Sequence, residues 1–253
     1  MNLDRIIAVR NNKTIYRDGD RVYKVFDTSY SKADVLNEAL NQARIEETGL
    51  HIPKILGVTM TEGKWTIITE FIEGKTLAAL MAENPEKRDA YMEQFVSLQM
   101  LMHSKSCPGL NQLKDKINRK IDQTDLLATV RYDLHMRLEA MPTHNKVCHG
   151  DFNPSNIIVS SDGTMYILDW SHATEGNASA DVARTFLLFC LEDDREGAKK
   201  YLDLFCQKSG TQKQYIKKWM PLVAASQTVK GNQRERDFLH AWADVADFGE
   251  ETE

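Results

Sequence analysis

Four side chains that suit phosphate and metal chemistry lie close together in the middle of the chain. His149, Asp151 and Asn156 fall within one short stretch, and Asp169 follows thirteen residues after Asn156. A carboxylate can orient an attacking hydroxyl group and accept its proton, while carboxylate and amide oxygens are ligands that suit Mg²⁺. This combination points to phosphoryl transfer, with Asp151 as the catalytic carboxylate and with Asn156 and Asp169 as metal ligands.

A β-hairpin is predicted to bring these side chains together. Two short apolar runs, 157–159 and 165–168, are joined by a polar segment that contains the turn-forming pair Asp-Gly. Because three of the four polar residues precede the first strand and Asp169 follows the second, antiparallel pairing predicts that they share one rim. The alternative is a turn-rich hairpin whose polar side chains only cap backbone groups.

The sequences of two segments resemble those of a known protein family. Residues 147–159 read Val-Cys-His-Gly-Asp-Phe-Asn-Pro-Ser-Asn-Ile-Ile-Val, and Leu-Asp-Trp follows at 168–170. Both resemble the catalytic and metal-binding segments of the aminoglycoside phosphotransferase and choline kinase-like superfamily, relatives of the eukaryotic-type protein kinases. The resemblance implies an α+β, bilobal protein kinase-like fold, with a small antiparallel-sheet N-lobe that has one helix and a larger, mainly helical C-lobe. It also implies that His149 and Asp181 brace the catalytic loop.

Three short strands are predicted near the start of the chain, at 6–9, 14–17 and 21–26. In the family, the third strand carries the lysine that binds the α- and β-phosphates, so the resemblance implies this role for Lys24. A strand lysine taken alone is more often a solvent-facing residue.

The turn between the first two strands departs from the protein kinase pattern. Residues 10–14 lack the G-x-G-x-x-G sequence of those enzymes. The backbone amides of residues 11–14 can still meet phosphate, and Asn12 and Lys13 are therefore candidates for nucleotide binding.

A helix is predicted over residues 31–48, because its apolar residues recur at helical spacing. Glu38 is the candidate partner of Lys24, since such a pair aims the ammonium group at phosphate. The alternatives are an ordinary solvated carboxylate at this position, or pairing through Glu46 or Glu47.

Two further strands, at 51–58 and 64–71, are predicted to complete a five-stranded antiparallel sheet. The extended segment that follows looks like a hinge, whose backbone groups can bind an adenine edge. Glu70 and Ile72 are the candidates for this contact through their main chain.

The remaining chain is predicted to be mainly helical. The predicted domains are an N-terminal nucleotide-binding lobe at 1–70, a hinge at 71–74, and a catalytic and substrate-binding lobe at 75–253. The predicted helices of the last lobe fall near 91–103, 113–121, 126–138, 181–191, 195–209, 212–230 and 234–248.

Only eleven residues separate Asp169 from Asp181, which leaves no room for a regulated activation loop. This spacing favours a small-molecule kinase over a protein kinase. A polyamine sugar acceptor needs converging carboxylates. The acidic candidates for binding it are Glu175, Glu192, Asp193, Asp194, Glu235 and Asp237.

The resemblance implies Mg²⁺ as cofactor, ATP or GTP as phosphate donor, and an aminoglycoside-like acceptor. Asn153 stands where protein kinases place a lysine near the γ-phosphate, and it offers only neutral hydrogen bonds. A kinase of the same fold that acts on choline, ethanolamine, a sugar or an amino acid is the alternative. A nucleotide-binding pseudokinase is disfavoured, because Lys24, Asp151, Asn156 and Asp169 are all present.

The composition is that of a globular protein of 253 residues, with 42% hydrophobic residues and a net charge of -5. The mild negative charge argues against nucleic-acid binding. No window approaches a membrane span, and the four cysteines show neither zinc-site nor disulfide spacing. These features predict a cytoplasmic protein and do not indicate an oligomeric state. The partners that the resemblance implies are a nucleotide and a small-molecule acceptor.

Overall fold

The protein is described by a computed structural model. The described residues are 5–10, 12–229 and 233–243. They fall into two compact units, the first within Met1–Arg88 and Pro154–Ala173, the second within Asp89–Asn153 and Thr174–Glu253. The predicted functional lobes, with bounds at residues 70 and 74, stay a prediction.

Strands and helices are both well represented, as an α+β class requires. The strands are β1 (Ile6–Arg10), β2 (Lys13–Asp18), β3 (Arg21–Phe26), β4 (Ile55–Thr61), β5 (Lys64–Glu70), β6 (Lys75–Thr76), β7 (Lys146–Cys148), β8 (Ile157–Val159), β9 (Met165–Ile167) and β10 (Thr174–Gly176). The α-helices are α1 (Lys32–Glu46), α2 (Leu77–Glu83), α3 (Arg88–His103), α4 (Leu113–Asp122), α5 (Ala128–Ala140), α6 (Ala178–Leu191), α7 (Arg195–Ser209), α8 (Lys213–Lys217), α9 (Met220–Gln227) and α10 (Gln233–Ala243). Short 3-10 helices span Pro85–Lys87, Pro154–Asn156 and Trp170–His172.

The first unit contains the predicted five-stranded antiparallel sheet, in the order β1-β2-β3-β5-β4. This prediction is confirmed. The fourth strand is shorter at its start than predicted, because it begins at Ile55 and leaves residues 51–54 outside the sheet. Pro53 lies in this segment and has no backbone N–H to donate to a strand ladder.

Helix α1 packs against the sheet through an apolar cluster formed by Phe26, Val35, Ala39 and Ile67, all of them buried. The helix begins where Ser31 Oγ accepts a hydrogen bond from the backbone N–H of Asp34. This side-chain cap satisfies one of the free amides at the helix start.

The predicted hairpin forms from β8 and β9, with Ile157 opposite Ile167. Strand β6 pairs with the other side of β8. Gly74 precedes this contact, and a Cβ atom placed there would lie 2.2 Å from the carbonyl oxygen of Val159. Only glycine therefore allows the chain after β5 to approach the hairpin so closely.

The second unit is mainly helical, with β7 and β10 as a two-stranded antiparallel ladder. The prediction of one continuous helix at 212–230 is wrong, because the structure has two helices there, α8 and α9. Pro221 lies in the first turn of the second of these helices, where proline is tolerated, whereas it is not tolerated in a helix interior. The helix predicted near 126–138 begins at Ala128, and Leu127, which precedes it, is exposed.

Residues 244–248 of the last predicted helix lie outside the described residues, as does Asn11. Over the described ranges, no helix is both long enough and apolar enough to span a lipid bilayer.

Candidate active site

Two lysines and two carboxylates meet in the first unit. Lys24 Nζ lies 2.5 Å from Glu38 Oε1 and 3.5 Å from Asp169 Oδ1. Lys13 Nζ lies 3.2 Å from Asp169 Oδ2 and 3.8 Å from Glu38 Oε1. We call these four residues the charged cluster.

The alternation of side chains along β3 explains why Lys24 meets α1. Side chains two residues apart on a strand share a face. Lys24 therefore lies on the same face as Phe26, which packs against Val35 and Ala39 of α1. Glu38 lies beside Ala39 on that helix, so the packing that buries Phe26 also brings the carboxylate to the ammonium group.

The charges of the cluster reinforce one another. Burial alone lowers the pKa of Lys24, but attraction to the Asp169 and Glu38 carboxylates outweighs burial and raises that pKa above its usual value. Burial alone raises the pKa of Asp169, but Lys24 and Lys13 outweigh burial and hold it well below its usual range. Both groups are therefore ionised at neutral pH.

Asp169 also has an unusual backbone conformation. Its φ of 61° lies in the left-handed region, which costs a residue other than glycine about 1–3 kcal/mol. The surrounding structure holds it there: Leu168 N donates to Asn156 O at 2.8 Å, and the indole N–H of Trp170 donates to Ile167 O at 3.1 Å. Such strain is concentrated at functional sites.

The charged cluster opens onto a cavity of about 280 Å³ in the first unit. Predicted site residues on its wall are Lys13, Lys24, Glu70, Ile72, Asn156 and Asp169. Asn12 is not among the described lining residues; it is exposed, and its carbonyl oxygen accepts a hydrogen bond from Asp27 N.

The predicted hinge contributes backbone groups to this wall. The N–H of Glu70 donates to Lys54 O at 3.0 Å, and the N–H of Phe71 donates to Asp20 O at 2.8 Å. Both amides are therefore engaged within the unit. The carbonyl oxygen of Glu70 accepts a hydrogen bond from Thr69 Oγ1 at 3.3 Å and keeps a second lone pair.

The donor set at the cavity fits a magnesium ion. Asn156 and Asp169 provide one amide and one carboxylate oxygen, and Mg²⁺ is commonly bound by one or two carboxylates together with substrate phosphates. The low pKa of Asp169 keeps its oxygen atoms free of protons, as a metal ligand requires. Among the described residues, no group of three or more His, Cys, Asp or Glu side chains is arranged to hold a metal by itself.

The remaining predicted residues lie in the second unit, around residues 149–153, which we call the Asp151 loop. Asn153 Nδ2 donates to Asp151 O at 3.0 Å and lies 3.4 Å from Asp151 Oδ2. The backbone N–H of Asp151 donates to Nδ1 of the fully buried His149 at 3.2 Å. These contacts fix the turn that presents the Asp151 side chain.

Asp181 of α6 binds the same loop. Its Oδ1 accepts a hydrogen bond from Gly150 N at 2.7 Å, and its Oδ2 lies 3.1 Å from Nε2 of His103. Burial alone raises the pKa of this carboxyl group, but the hydrogen bonds and the His103 ring outweigh burial and hold the pKa below its usual value.

Sequence reasoning did not identify two further residues of α6. Thr185 Oγ1 donates to Phe152 O at 2.9 Å, and Arg184 Nη2 lies 3.6 Å from Asp151 Oδ1. Both follow Asp181 by three or four residues, which places all three on one helix face. This helical spacing from Asp181 is the sequence feature that could have identified both residues.

A buried polar network supports this helix face. Gln99 Nε2 donates to Thr185 Oγ1 at 3.2 Å, and Gln99 Oε1 accepts from the Tyr201 hydroxyl at 2.5 Å. Helices α3, α6 and α7 are thereby joined next to the Asp151 loop.

Several acidic candidates for acceptor binding are occupied within the second unit. Glu175 is buried and accepts hydrogen bonds from Ser106 Oγ and Gln112 Nε2, each at 3.1 Å. Asp194 caps α7 through Gly197 N, and Asp193 pairs with Arg234. These contacts give the three carboxylates structural roles.

Comparison with known proteins extends this description. The profile of the phosphotransferase enzyme family matches residues 7–215. No curated protein matches the chain in sequence.

Solved structures share the fold. A thermostable mutant of aminoglycoside phosphotransferase APH(4)-Ia, in a ternary complex with AMP-PNP and hygromycin B, has a TM-score of 0.70 and 17% identity over 94% of this chain and 90% of that one. Aminoglycoside phosphotransferase APH(3'')-Id from Streptomyces rimosus ATCC10970 gives 0.64 and 17% over 87% and 91%. Choline kinase LicA from Streptococcus pneumoniae gives 0.62 and 16% over 98% and 88%. The predicted α+β, protein kinase-like fold is thereby confirmed.

Proposed function

This chain belongs to the phosphotransferase enzyme family and is a small-molecule kinase that acts on hydroxyl groups, and we propose that it transfers the γ-phosphate of ATP or GTP to an aminoglycoside-like acceptor. The observation that carries the proposal is the cavity whose wall combines Lys13, Lys24 and Asp169 with the hinge residues Glu70 and Ile72. Cations and backbone groups on one wall suit the phosphates and the base of a nucleotide.

Lys24 would bind the α- and β-phosphates, with Glu38 holding its ammonium group in place. Lys13 would add a second cation at the turn that lacks the glycine-rich sequence. The Glu70 carbonyl and the Ile72 backbone would contact the base. The neighbour bound to AMP-PNP supports a nucleotide donor.

Asn156 and Asp169 would hold Mg²⁺, which would offset the negative charge of the nucleotide phosphates. The chain's own part is to fix the two oxygen donors, Asn156 next to the start of β8 and Asp169 after β9. The left-handed backbone of Asp169 aims its carboxylate at the same cavity wall as Lys24.

Asp151 would orient the acceptor hydroxyl group and accept its proton late in the reaction. Phosphoryl transfer passes through a loose transition state in which positioning dominates over proton abstraction. His149 and Asn153 serve this positioning through hydrogen bonds to the main chain of Asp151, and Asp181 serves it through Gly150 N. Asn153 would offer neutral hydrogen bonds in the position where protein kinases carry a lysine.

The acceptor class rests on similarity to aminoglycoside phosphotransferases, two of which are described above. A second candidate is an amino alcohol, and it is favoured by the likeness to choline kinase LicA over 98% of this chain. A sugar or an amino acid is a further alternative acceptor.

The test is phosphate transfer from ATP and from GTP, with Mg²⁺, to a panel of aminoglycosides, choline, ethanolamine, sugars and amino acids. Efficient turnover of one aminoglycoside would support the proposal, and turnover of choline alone would replace it with the second candidate. Metal-dependent nucleotide binding without turnover of any acceptor would favour a pseudokinase.

A further inference from the structure

The guanidinium group of Arg184 is a largely buried cation that has no role in the reaction proposed above. Its Nη2 atom lies 3.6 Å from Asp151 Oδ1, and its side chain is 15% exposed against 32% for Asp151. Its Nε and Nη1 atoms are buried and have no hydrogen-bond partner within the described part of the chain.

Stability does not account for an arginine at this position. A separation of 3.6 Å is too long for a hydrogen bond, so the contact with Asp151 is one of charge alone. Burying a cation with two unsatisfied donors opposes folding. Burial also lowers the pKa of Arg184, and the carboxylates of Asp151, Glu235 and Asp181 counteract this effect only in part.

The surroundings of the two carboxylate oxygen atoms of Asp151 suggest a role for Arg184. Arg184 faces Oδ1, while Asn153 Nδ2 lies 3.4 Å from Oδ2. Each oxygen therefore has its own neighbour, one a cation and the other an amide. A carboxylate held on both sides has less freedom to rotate than one turned towards solvent.

We infer that Arg184 is a positioning residue for phosphoryl transfer, whose charge holds the Asp151 carboxylate in the orientation that receives the acceptor hydroxyl group. The inference rests on the proposed role of Asp151. Arg184 keeps its protons throughout, because a guanidinium group is not deprotonated in proteins. The proton of the acceptor passes to Asp151, and Arg184 acts only through that carboxylate.

The experiment compares Arg184→Met and Arg184→Lys with the wild-type enzyme, using the acceptor that the panel identifies. We expect Arg184→Met to lower kcat about 100-fold, as misplacement of a reacting group does, while KM for ATP stays within about twofold. Arg184→Lys restores a charge and is expected to recover about tenfold of that loss. Arg137→Met is the matched control, because Arg137 pairs with the exposed Asp133 on α5.

Two further measurements separate positioning from a structural role. In an Asp151→Asn background, Arg184→Met is expected to cause no further loss of kcat, because the two residues act as one unit. The midpoint of thermal unfolding is expected to stay the same or to rise, since an apolar side chain replaces a buried charge.

The outcomes distinguish the inference from the proposed function. A kcat within about twofold of wild type in Arg184→Met, with Asp151→Asn inactive, would overturn the inference alone. So would a fall of more than about 10 °C in the unfolding midpoint of Arg184→Met, because Arg184 would then be structural. Near-normal turnover of Asp151→Asn, or the absence of any acceptor for the wild-type enzyme, would instead remove the proposed function.

Discussion

The hydroxyl group of Thr185 donates a hydrogen bond at 2.9 Å to the carbonyl oxygen of Phe152, the residue that follows Asp151 in the chain. Thr185 is fully buried and also accepts a hydrogen bond from Gln99. The loop that carries the proposed catalytic carboxylate is thus tied to α6 through its main chain, by a bond that water does not reach.

Thr185→Val removes this hydroxyl group while keeping the shape of the side chain. We expect the free energy of unfolding to fall by about 1–3 kcal/mol, because the Phe152 carbonyl loses this donor and the Gln99 amide loses the shorter of its two contacts. Urea unfolding measures this. Thr228→Val is the control, since Thr228 is also buried and donates to Ala225 O of the helix that it ends. Equal losses in the two variants would contradict a special role for Thr185.

Asp151→Asn keeps the size of the side chain but removes its charge and its capacity to accept a proton. We expect kcat to fall about 10³-fold, within the range found for general bases, and KM for ATP to change little. Steady-state kinetics with the acceptor found in the panel measures both values. Near-normal kcat would refute the assignment. Asp133→Asn, an exposed carboxylate paired with Arg137, controls for the change itself.

Glu38→Gln tests the pair with Lys24. Without the Glu38 charge, the ammonium group has Asp169 as its remaining carboxylate partner on this side. We expect KM for ATP to rise about tenfold, equivalent to about 1.4 kcal/mol of lost binding. Glu47→Gln makes the same change at the exposed end of α1 and is expected to leave KM unaltered. An equal effect of both variants would argue against the pair.

Lys13→Met tests the second cation of the charged cluster. Lys13 lies 3.2 Å from Asp169 but is not held as closely by Glu38 as Lys24 is. We expect KM for ATP to rise about fivefold, the effect of one partly buried charge, and less than in Lys24→Met. Nucleotide binding measured by calorimetry checks this without any acceptor. Unchanged affinity would limit Lys13 to a structural ion pair.

Asp181→Asn is expected to change how the free energy of unfolding depends on pH. A carboxyl group whose pKa is lowered by folding adds stability above its unfolded pKa, about 3.9, and this stability is lost as the pH falls through the folded pKa. The wild-type advantage over Asp181→Asn is therefore expected to be largest above about pH 5 and to shrink below about pH 4. Urea unfolding at pH 7, 5 and 3.5 measures it. An advantage that does not change with pH would contradict the lowered pKa.

Local rules were sufficient to predict much of the first unit. The period of two along β3 and the helical spacing of α1 are short-range properties, and they predicted both elements. The pairing of Lys24 with Glu38 came from the resemblance to the family, and the two side chains do lie in contact. The hairpin followed from an Asp-Gly pair between two apolar runs, and its strands place Asn156 next to Leu168.

The second unit was harder to predict because its contacts depend on tertiary packing. No local pattern links Thr185 to Phe152, which lies 33 residues away. Glu175 was a candidate for acceptor binding, yet it is buried and accepts hydrogen bonds from Ser106 and Gln112. The division of 212–230 into two helices was visible in principle, since Pro221 favours a new helix start.

The contacts of α6 have a consequence for how this protein can vary. Three residues of α6 contact three consecutive residues of the Asp151 loop in the same order along the chain. The contacts are Asp181 with Gly150, Arg184 with Asp151, and Thr185 with Phe152. Each residue of an α-helix turns by about 100°, and a single insertion before Asp181 would rotate all three side chains away together. A change of chain length just before Asp181 would therefore break all three contacts at once. A change of length in the exposed turn at Asp162 would leave these contacts intact.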